Sequence, residues 1–132
     1  MTKIAAHIGT QLYKTEIKSP NHILIADEPE SNGGNDLGFD SKELLASSLA
    51  ACTSITLRMY ADRKKWNLTE VKVEVTLDRD PSENKTKIER SIQLFGDLDA
   101  DQKIRLLAIA NKCPIHLILS NPIEIKTELH QE

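Results

Sequence analysis

The sequence predicts an α+β fold in which antiparallel strands surround one long helix. Three observations carry this expectation. First, Asp40 to Lys65, DSKELLASSLAACTSITLRMYADRKK, holds no Pro or Gly and is dominated by helix-favouring Ala, Leu, Met, Lys and Arg. Second, segments that alternate with a period of two outnumber the helical ones. Third, most of those segments are joined by hairpin-length turns, which argues against a doubly wound parallel sheet.

Length and composition bound the rest. A chain of 132 residues, 39% hydrophobic and 28% charged, suits a single globular domain spanning residues 1–132 with a real core. A net charge of −3 gives no reason to expect nucleic acid or an anionic membrane as a partner. No apolar run nears membrane-spanning length and no signal-peptide pattern stands out, so a cytoplasmic protein is expected. Two cysteines in such a chain read as thiols, or a transient redox pair, rather than a structural staple.

In chain order, Lys3 to Lys18 alternates loosely and suggests two short strands turning near Gly9-Thr10. Ser19-Pro20-Asn21 is a turn, and His22 to Asp27 is a third strand apolar enough to be covered on both faces. Glu28 to Phe39, EPESNGGNDLGF, is a loop without a period. Gly33 and Gly34 there supply conformations that a β-carbon would strain.

Asp40 and Glu43 have the spacing of a capping box at the start of the long helix. At 1.5 Å per residue that helix runs roughly 37 Å, long enough to cross a domain whose radius of gyration is about 14 Å. Leu45, Leu49, Cys52, Thr56 and Met59 form one stripe on it, and Leu44, Ser48, Ala51 and Ile55 an adjoining one. A helix apolar on more than one face, beside one small sheet, is expected to meet a second subunit.

Asn67 is the expected left-handed stop of the helix. Val71, Val73, Val75 and Leu77 then alternate with polar residues and pair in a hairpin with Lys87 to Phe95, whose Ile88, Arg90, Ile92 and Leu94 share a face. Asp99 and Gln102 box the start of a second helix, with Ile104, Leu107 and Ala108 as its buried face and Leu106, Ile109 and Ala110 beside it. Pro114 makes Cys113 the last residue of that helix, and Ile115 to Leu119 add a turn. After Ser120-Asn121-Pro122, Ile123, Ile125, Thr127 and Leu129 alternate as a final strand. The expected order is β-β-β-α-β-β-α-β.

Chemistry centres on the thiols. Cys52, on an apolar helical stripe, has an ordinary explanation as a small core residue. Cys113 sits where a proline fixes the backbone. Arg90, between Ile88 and Ile92, reads either as a snorkelling side chain with its head in solvent or as a cation reaching the thiol site or a dimer partner. Cys52, Cys113 and His116 make only half a zinc motif, so neither metal nor other cofactor is expected. His22 reads as structural, and Asp27 and Glu28 lie in the loop approaching the helix.

The order of these features resembles a known family over nearly the whole chain. ELLASSLAACTSITLRMY (Glu43 to Tyr60), the hairpin, the Gly96-x-Leu98 entry to a second helix, Cys113-Pro114-Ile115-His116, and the loop Asp27-Glu28-Pro29…Gly33-Gly34…Gly38 together resemble the OsmC/Ohr family. This family holds osmotically inducible protein C and the organic hydroperoxide resistance proteins, and the loop is similar to its shorter OsmC-like branch. The resemblance implies an intertwined homodimer with a long central helix from each subunit between curved sheets. It also implies thiol peroxidase activity on a small organic hydroperoxide, with Cys52 attacking, Cys113 resolving, and a dithiol or lipoyl-type thiol as reductant. Peroxide-reducing members carry an N-terminal Arg and a Glu ten residues before the first Cys. Here no Arg precedes Arg58, that position is Lys42, and Glu43 is the candidate one residue later, shared with its capping role. The alternative is a non-enzymatic member holding an apolar ligand at the dimer groove. Local chemistry points the same way on the thiols: a Cys113 at a helix C-terminus would face the negative end of the dipole, which leaves Cys52 as nucleophile.

Overall fold

The computed structural model describes residues 1–130. The chain divides into two compact units, Met1–Ser47 and Ser48–Glu132. In the first, the alternating segments form an antiparallel meander, β1 (Ala5–Ile8), β2 (Thr15–Lys18) and β3 (Ile23–Ala26), in that sheet order. Ala6 pairs with Ile17, and Ile17 with Leu24. The Ser19 turn closes as expected, with Ser19 N–H on the His22 carbonyl (2.9 Å) and His22 N–H on Ser19 Oγ (3.1 Å). β3 is not covered on both faces: Ile23 and Leu24 are exposed and only Ala26 is buried. Its apolar run exceeds what this short meander can cover.

The loop after β3 lacks a period because one side chain organises it. Asp27 Oδ1 accepts from the backbone N–H groups of Tyr13 (3.0 Å) and Glu28 (2.7 Å), and Oδ2 from those of Asn35 (3.3 Å) and Leu37 (3.1 Å). Burial pushes this carboxyl up, but the four N–H donors outweigh it and hold it below the ordinary aspartate value. A 3-10 turn, Glu30–Asn32, ends at Gly33 with φ 88°, the left-handed conformation expected there. Gly34 is small for another reason: a Cβ would lie 2.0 Å from the Glu28 carbonyl oxygen.

The long helix forms as α1 (Ser41–Lys64). Its capping box is complete, with Glu43 N–H on Asp40 Oδ1 (2.8 Å) and Asp40 N–H on Glu43 Oε1 (3.0 Å). It stops earlier than expected. Lys65, not Asn67, takes the left-handed conformation (φ 58°), and Asn67 already opens the next strand. The buried line is Leu49, Thr53, Leu57 and Ala61. Of the expected stripe only Leu49 is buried; Leu45 and Met59, with Ile55 beside them, stay exposed. Periodicity could not choose between faces because α1 is apolar on both. It is long enough, and apolar enough over an 18-residue stretch, to cross a membrane by length and composition, but here its Leu57 anchors a core.

The second unit is a hairpin with helices against it. β4 (Asn67–Asp80) and β5 (Lys85–Asp97) pair antiparallel, Val73 opposite Ile92 and Val75 opposite Arg90, and are longer than the alternation suggested. Helix α2 (Ala100–Ala110) begins with the expected Asp99–Gln102 capping box. Leu57, Leu106, Ile109 and Ala110 make the core, with Trp66, Val71, Ile92 and Leu94 packed on it. The expected α2 face is thus exchanged with its neighbour: Leu106, Ile109 and Ala110 are buried while Ile104 and Leu107 are exposed. A short α3 (Pro114–Ser120) follows. The final strand over Ile123 to Leu129 does not form, and Ile123, Ile125 and Leu129 are 61, 82 and 94% exposed. Alternation prepares a strand, but a strand needs an edge to pair with, and no described strand of this chain pairs with it.

Candidate functional site

Proline 114 decides the geometry at Cys113. Pro holds the residue before it extended, and Cys113 has φ −64° and ψ 144°. The expected continuation of α2 to Cys113 is therefore wrong: α2 closes at Ala110, and Pro114 is the first residue of α3, a favoured place for proline. Cys113 caps the start of a helix rather than ending one. Its Sγ accepts from the N–H of His116 (3.3 Å), and the dipole argument against it as a nucleophile falls away. The side chain is completely buried.

Thr53, also completely buried, faces it from α1. Its hydroxyl lies 4.0 Å from Cys113 Sγ and donates to the Leu49 carbonyl (2.7 Å). Arg90 of β5 completes the cluster. Its Nη1 donates to Thr53 Oγ1 (3.1 Å) and the Ala110 carbonyl (3.2 Å), and its Nη2 to Asn111 Oδ1 (2.8 Å). Nη2 also meets His116 Nδ1 at 3.2 Å. Arginine only donates, so Nδ1 accepts and the imidazole carries its proton on Nε2. Arg90 is half-buried with its head bound to Thr53, Ala110, Asn111 and His116, so the reading that leaves the head in solvent does not hold.

Cys52 precedes Thr53 on α1 and is half-buried. Its Sγ makes a hydrogen-bonding contact with Thr56 Oγ1 at 4.0 Å. Both cysteines are free thiols. Glu43 remains in its capping box, with Oε1 taken. Among the described residues no group of three or more His, Cys, Asp or Glu is placed to hold a metal ion.

Beside the Arg90 cluster lies a cavity of about 350 Å³. Leu49, Ile88, Ile92, Leu107 and Leu119 give it an aliphatic wall; Arg90, Asn111 and His116 give it a polar one. Sequence reasoning singled out Arg90 and His116 but missed Thr53 and Asn111. Neither carries a local signal, since their roles arise from contacts with residues 37 and 21 positions away.

The family model for OsmC-like proteins matches residues 33–128. This chain belongs to the OsmC-like family. Solved structures of similar fold include an OsmC-like protein from Mycoplasma pneumoniae, 20% identical with a TM-score of 0.78, over 90% of this chain and 86% of that one. An organic hydroperoxide resistance protein OsmC from Legionella pneumophila is 25% identical with a TM-score of 0.67, over 91% and 89%. The organic hydroperoxide resistance protein OhrB of Bacillus subtilis is 23% identical with a TM-score of 0.63, over 98% of each chain. No curated protein matches. In this OsmC-like chain, then, the fold brings Cys113, Thr53, Arg90, Asn111 and His116 into one cluster, with Cys52 one residue away along α1.

Proposed function

We propose that this OsmC-like protein is a thiol-dependent peroxidase that reduces small organic hydroperoxides through Cys52 and Cys113. One observation supports the reading: Thr53, the residue after half-exposed Cys52, lies 4.0 Å from the Sγ of fully buried Cys113, which is consistent with one locality for the two thiols. Exposure then divides the labour. The Cys52 thiolate attacks the distal peroxide oxygen, the O–O bond breaks, and the alkoxide leaves as alcohol after taking a proton. Cys113 sulfur attacks the resulting sulfenic acid, water departs, and a disulfide forms. A dithiol or lipoyl-type reductant restores both thiols. A nearby resolving thiol protects the first from irreversible over-oxidation. Glu43 enters only through its second carboxylate oxygen, since the first is bound in the capping box.

The working form in this reading is a cytoplasmic homodimer of single-domain subunits, residues 1–132. Exposed Leu45, Ile55 and Met59 on α1 and the exposed apolar residues after Pro122 support it, because that much apolar surface asks for a partner. A second reading, a non-enzymatic member holding an apolar ligand at the dimer groove, is favoured by the lack of a described cation at Cys52 Sγ.

Intact-mass spectrometry after one equivalent of cumene hydroperoxide separates the readings. The wild type should lose two thiols per chain, reversibly with dithiol. Cys52→Ser should consume no peroxide; Cys113→Ser should give one turnover and trap Cys52 as sulfenic, then sulfinic acid. Oxygen gained at Cys113 in Cys52→Ser, as fast as the wild type forms its disulfide, reverses the roles. No reaction within minutes leaves the binding reading.

A further inference from the structure

The Arg90 cluster has used its acceptors and kept donors. Asn111 Oδ1 and His116 Nδ1 both accept from Arg90 Nη2, and Thr53 Oγ1 and the Ala110 carbonyl accept from Nη1. The guanidinium has five N–H groups, and these four contacts leave Nε–H. Asn111 keeps its Nδ2 amide protons and His116 its Nε2–H. Among the described residues none of these three has a hydrogen-bond partner, and no carboxylate pairs with Arg90. Asn111 is an exposed residue, and among the described residues that are not exposed no buried side-chain nitrogen or oxygen is left unbonded, so Arg90 Nε and His116 Nε2 are solvent-accessible. One full positive charge and a donor-only set thus stand in the wall of a cavity whose other walls are aliphatic.

We propose that this cavity binds a small aliphatic monocarboxylate, its headgroup on the donors of Arg90, Asn111 and His116 and its chain along Leu49, Ile88 and Ile92. A monoanion balances the one uncompensated cation, whereas a dianion would leave net charge against an apolar wall. The wall holds no Phe, Tyr or Trp ring, and its one imidazole, His116, is engaged by Arg90, which suits a chain rather than a stacked aryl acid. The cavity lies at the small end of ligand sites, and at roughly 30 Å³ for a group the size of water it takes on the order of ten such groups. Octanoate fits that size. The inference does not rest on the peroxidase reading, and its test contains neither peroxide nor a thiol readout.

Isothermal titration of the full chain at neutral pH, with sodium octanoate, 1-octanol and inorganic phosphate, decides it. Octanoate should bind once per chain, octanol at least about tenfold more weakly because it lacks the charge-assisted bonds, and phosphate not measurably. Arg90→Gln should remove the preference for octanoate over octanol, and Arg90→Lys should restore part of it. Leu107→Glu places a carboxylate in the cavity wall at a side chain already 59% exposed, and should abolish octanoate binding without unfolding the chain. Equal affinity for octanoate and octanol in the wild type overturns the proposal without need of any variant. So does failure of octanoate to saturate at millimolar concentration, or unchanged binding in folded Arg90→Gln or Leu107→Glu.

Discussion

Thr53→Val tests whether the Arg90 cluster exists in solution. Valine keeps the branched shape and removes one hydroxyl from a fully buried position. That hydroxyl makes two strong bonds, one donated to the Leu49 carbonyl and one accepted from Arg90 Nη1, and a long, weak contact with Cys113 Sγ at 4.0 Å. Leu49 precedes Thr53 by one helical turn, so its carbonyl keeps the backbone bond of α1 and the first loss leaves no orphan. The second loss removes a bond to a charged donor, worth about 1.5–3 kcal/mol. Arg90 is half-buried and keeps three other acceptors, which places the cost at the lower end, about 1.5 kcal/mol. The new buried methyl returns up to about 0.8 kcal/mol. The expected net loss is about 1 kcal/mol, a fall in Tm of about 4 °C for a chain of this length.

Urea unfolding of the wild type, Thr53→Val, Arg90→Gln and the double variant, at one fixed protein concentration, gives the pair its own number. The coupling energy should be about 1.5 kcal/mol. A coupling below about 0.3 kcal/mol would mean that the two side chains act independently, and the cluster would lose its centre. A Thr53→Val loss above about 3 kcal/mol would instead make the hydroxyl a structural keystone of the second unit.

Other expectations follow from single residues. Met59→Asp changes a side chain that is 60% exposed in the chain, so it should cost the isolated subunit under about 0.5 kcal/mol yet dissociate the proposed homodimer in sedimentation; a wild type that sediments as a folded monomer defeats the premise. Leu57→Ala, at a fully buried core position, should cost about 2–5 kcal/mol, and a neutral result would misplace the core. Asp27 has its carboxyl held below the ordinary 3.8, so its contribution is fully present above that value and is lost as pH falls through the lowered folded-state value. Asp27→Asn should flatten this acid limb in unfolding measured against pH, and an unchanged limb would remove Asp27 from the account. Gly34→Ala should destabilise the loop more than Gly33→Ala, because a backbone carbonyl blocks the first Cβ at 2.0 Å while the second meets only Tyr13 Cε2 at 3.5 Å in a strained φ; the reverse order of melting temperatures would refute this.

What was legible in the chain was local. Asp40 with Glu43 and Asp99 with Gln102 announce helix starts through contacts three residues apart, and both boxes form. The Val71 to Leu77 alternation announces a strand through its period, and it pairs as a hairpin. Which face of a helix is buried was not legible, because both α1 and α2 carry two adjoining apolar stripes and only tertiary packing selects one. The same limit held for the site. Cys52 and Cys113 stand out by residue type, but the Thr53–Cys113 contact spans 60 positions and the Arg90–Thr53 bond 37. No periodicity reports such distances.

The Cys113 boundary shows how one local ambiguity changes a chemical argument. A proline ends a helix through the residue before it, yet it is also favoured as the first residue of the next helix. Both readings of Cys113-Pro114 are locally sound. Asn111 decides between them by capping α2 with its N–H on Ala108 and Ile109, so the chain turns before Cys113. The thiol then receives the His116 N–H and packs beside Thr53. With the dipole argument gone, the proposed roles of the thiols rest on exposure alone: Cys52 is half-exposed, and Cys113 is fully buried. The outcome to watch in the single-cysteine variants is therefore access, and reagent size should matter more for Cys113 than for Cys52.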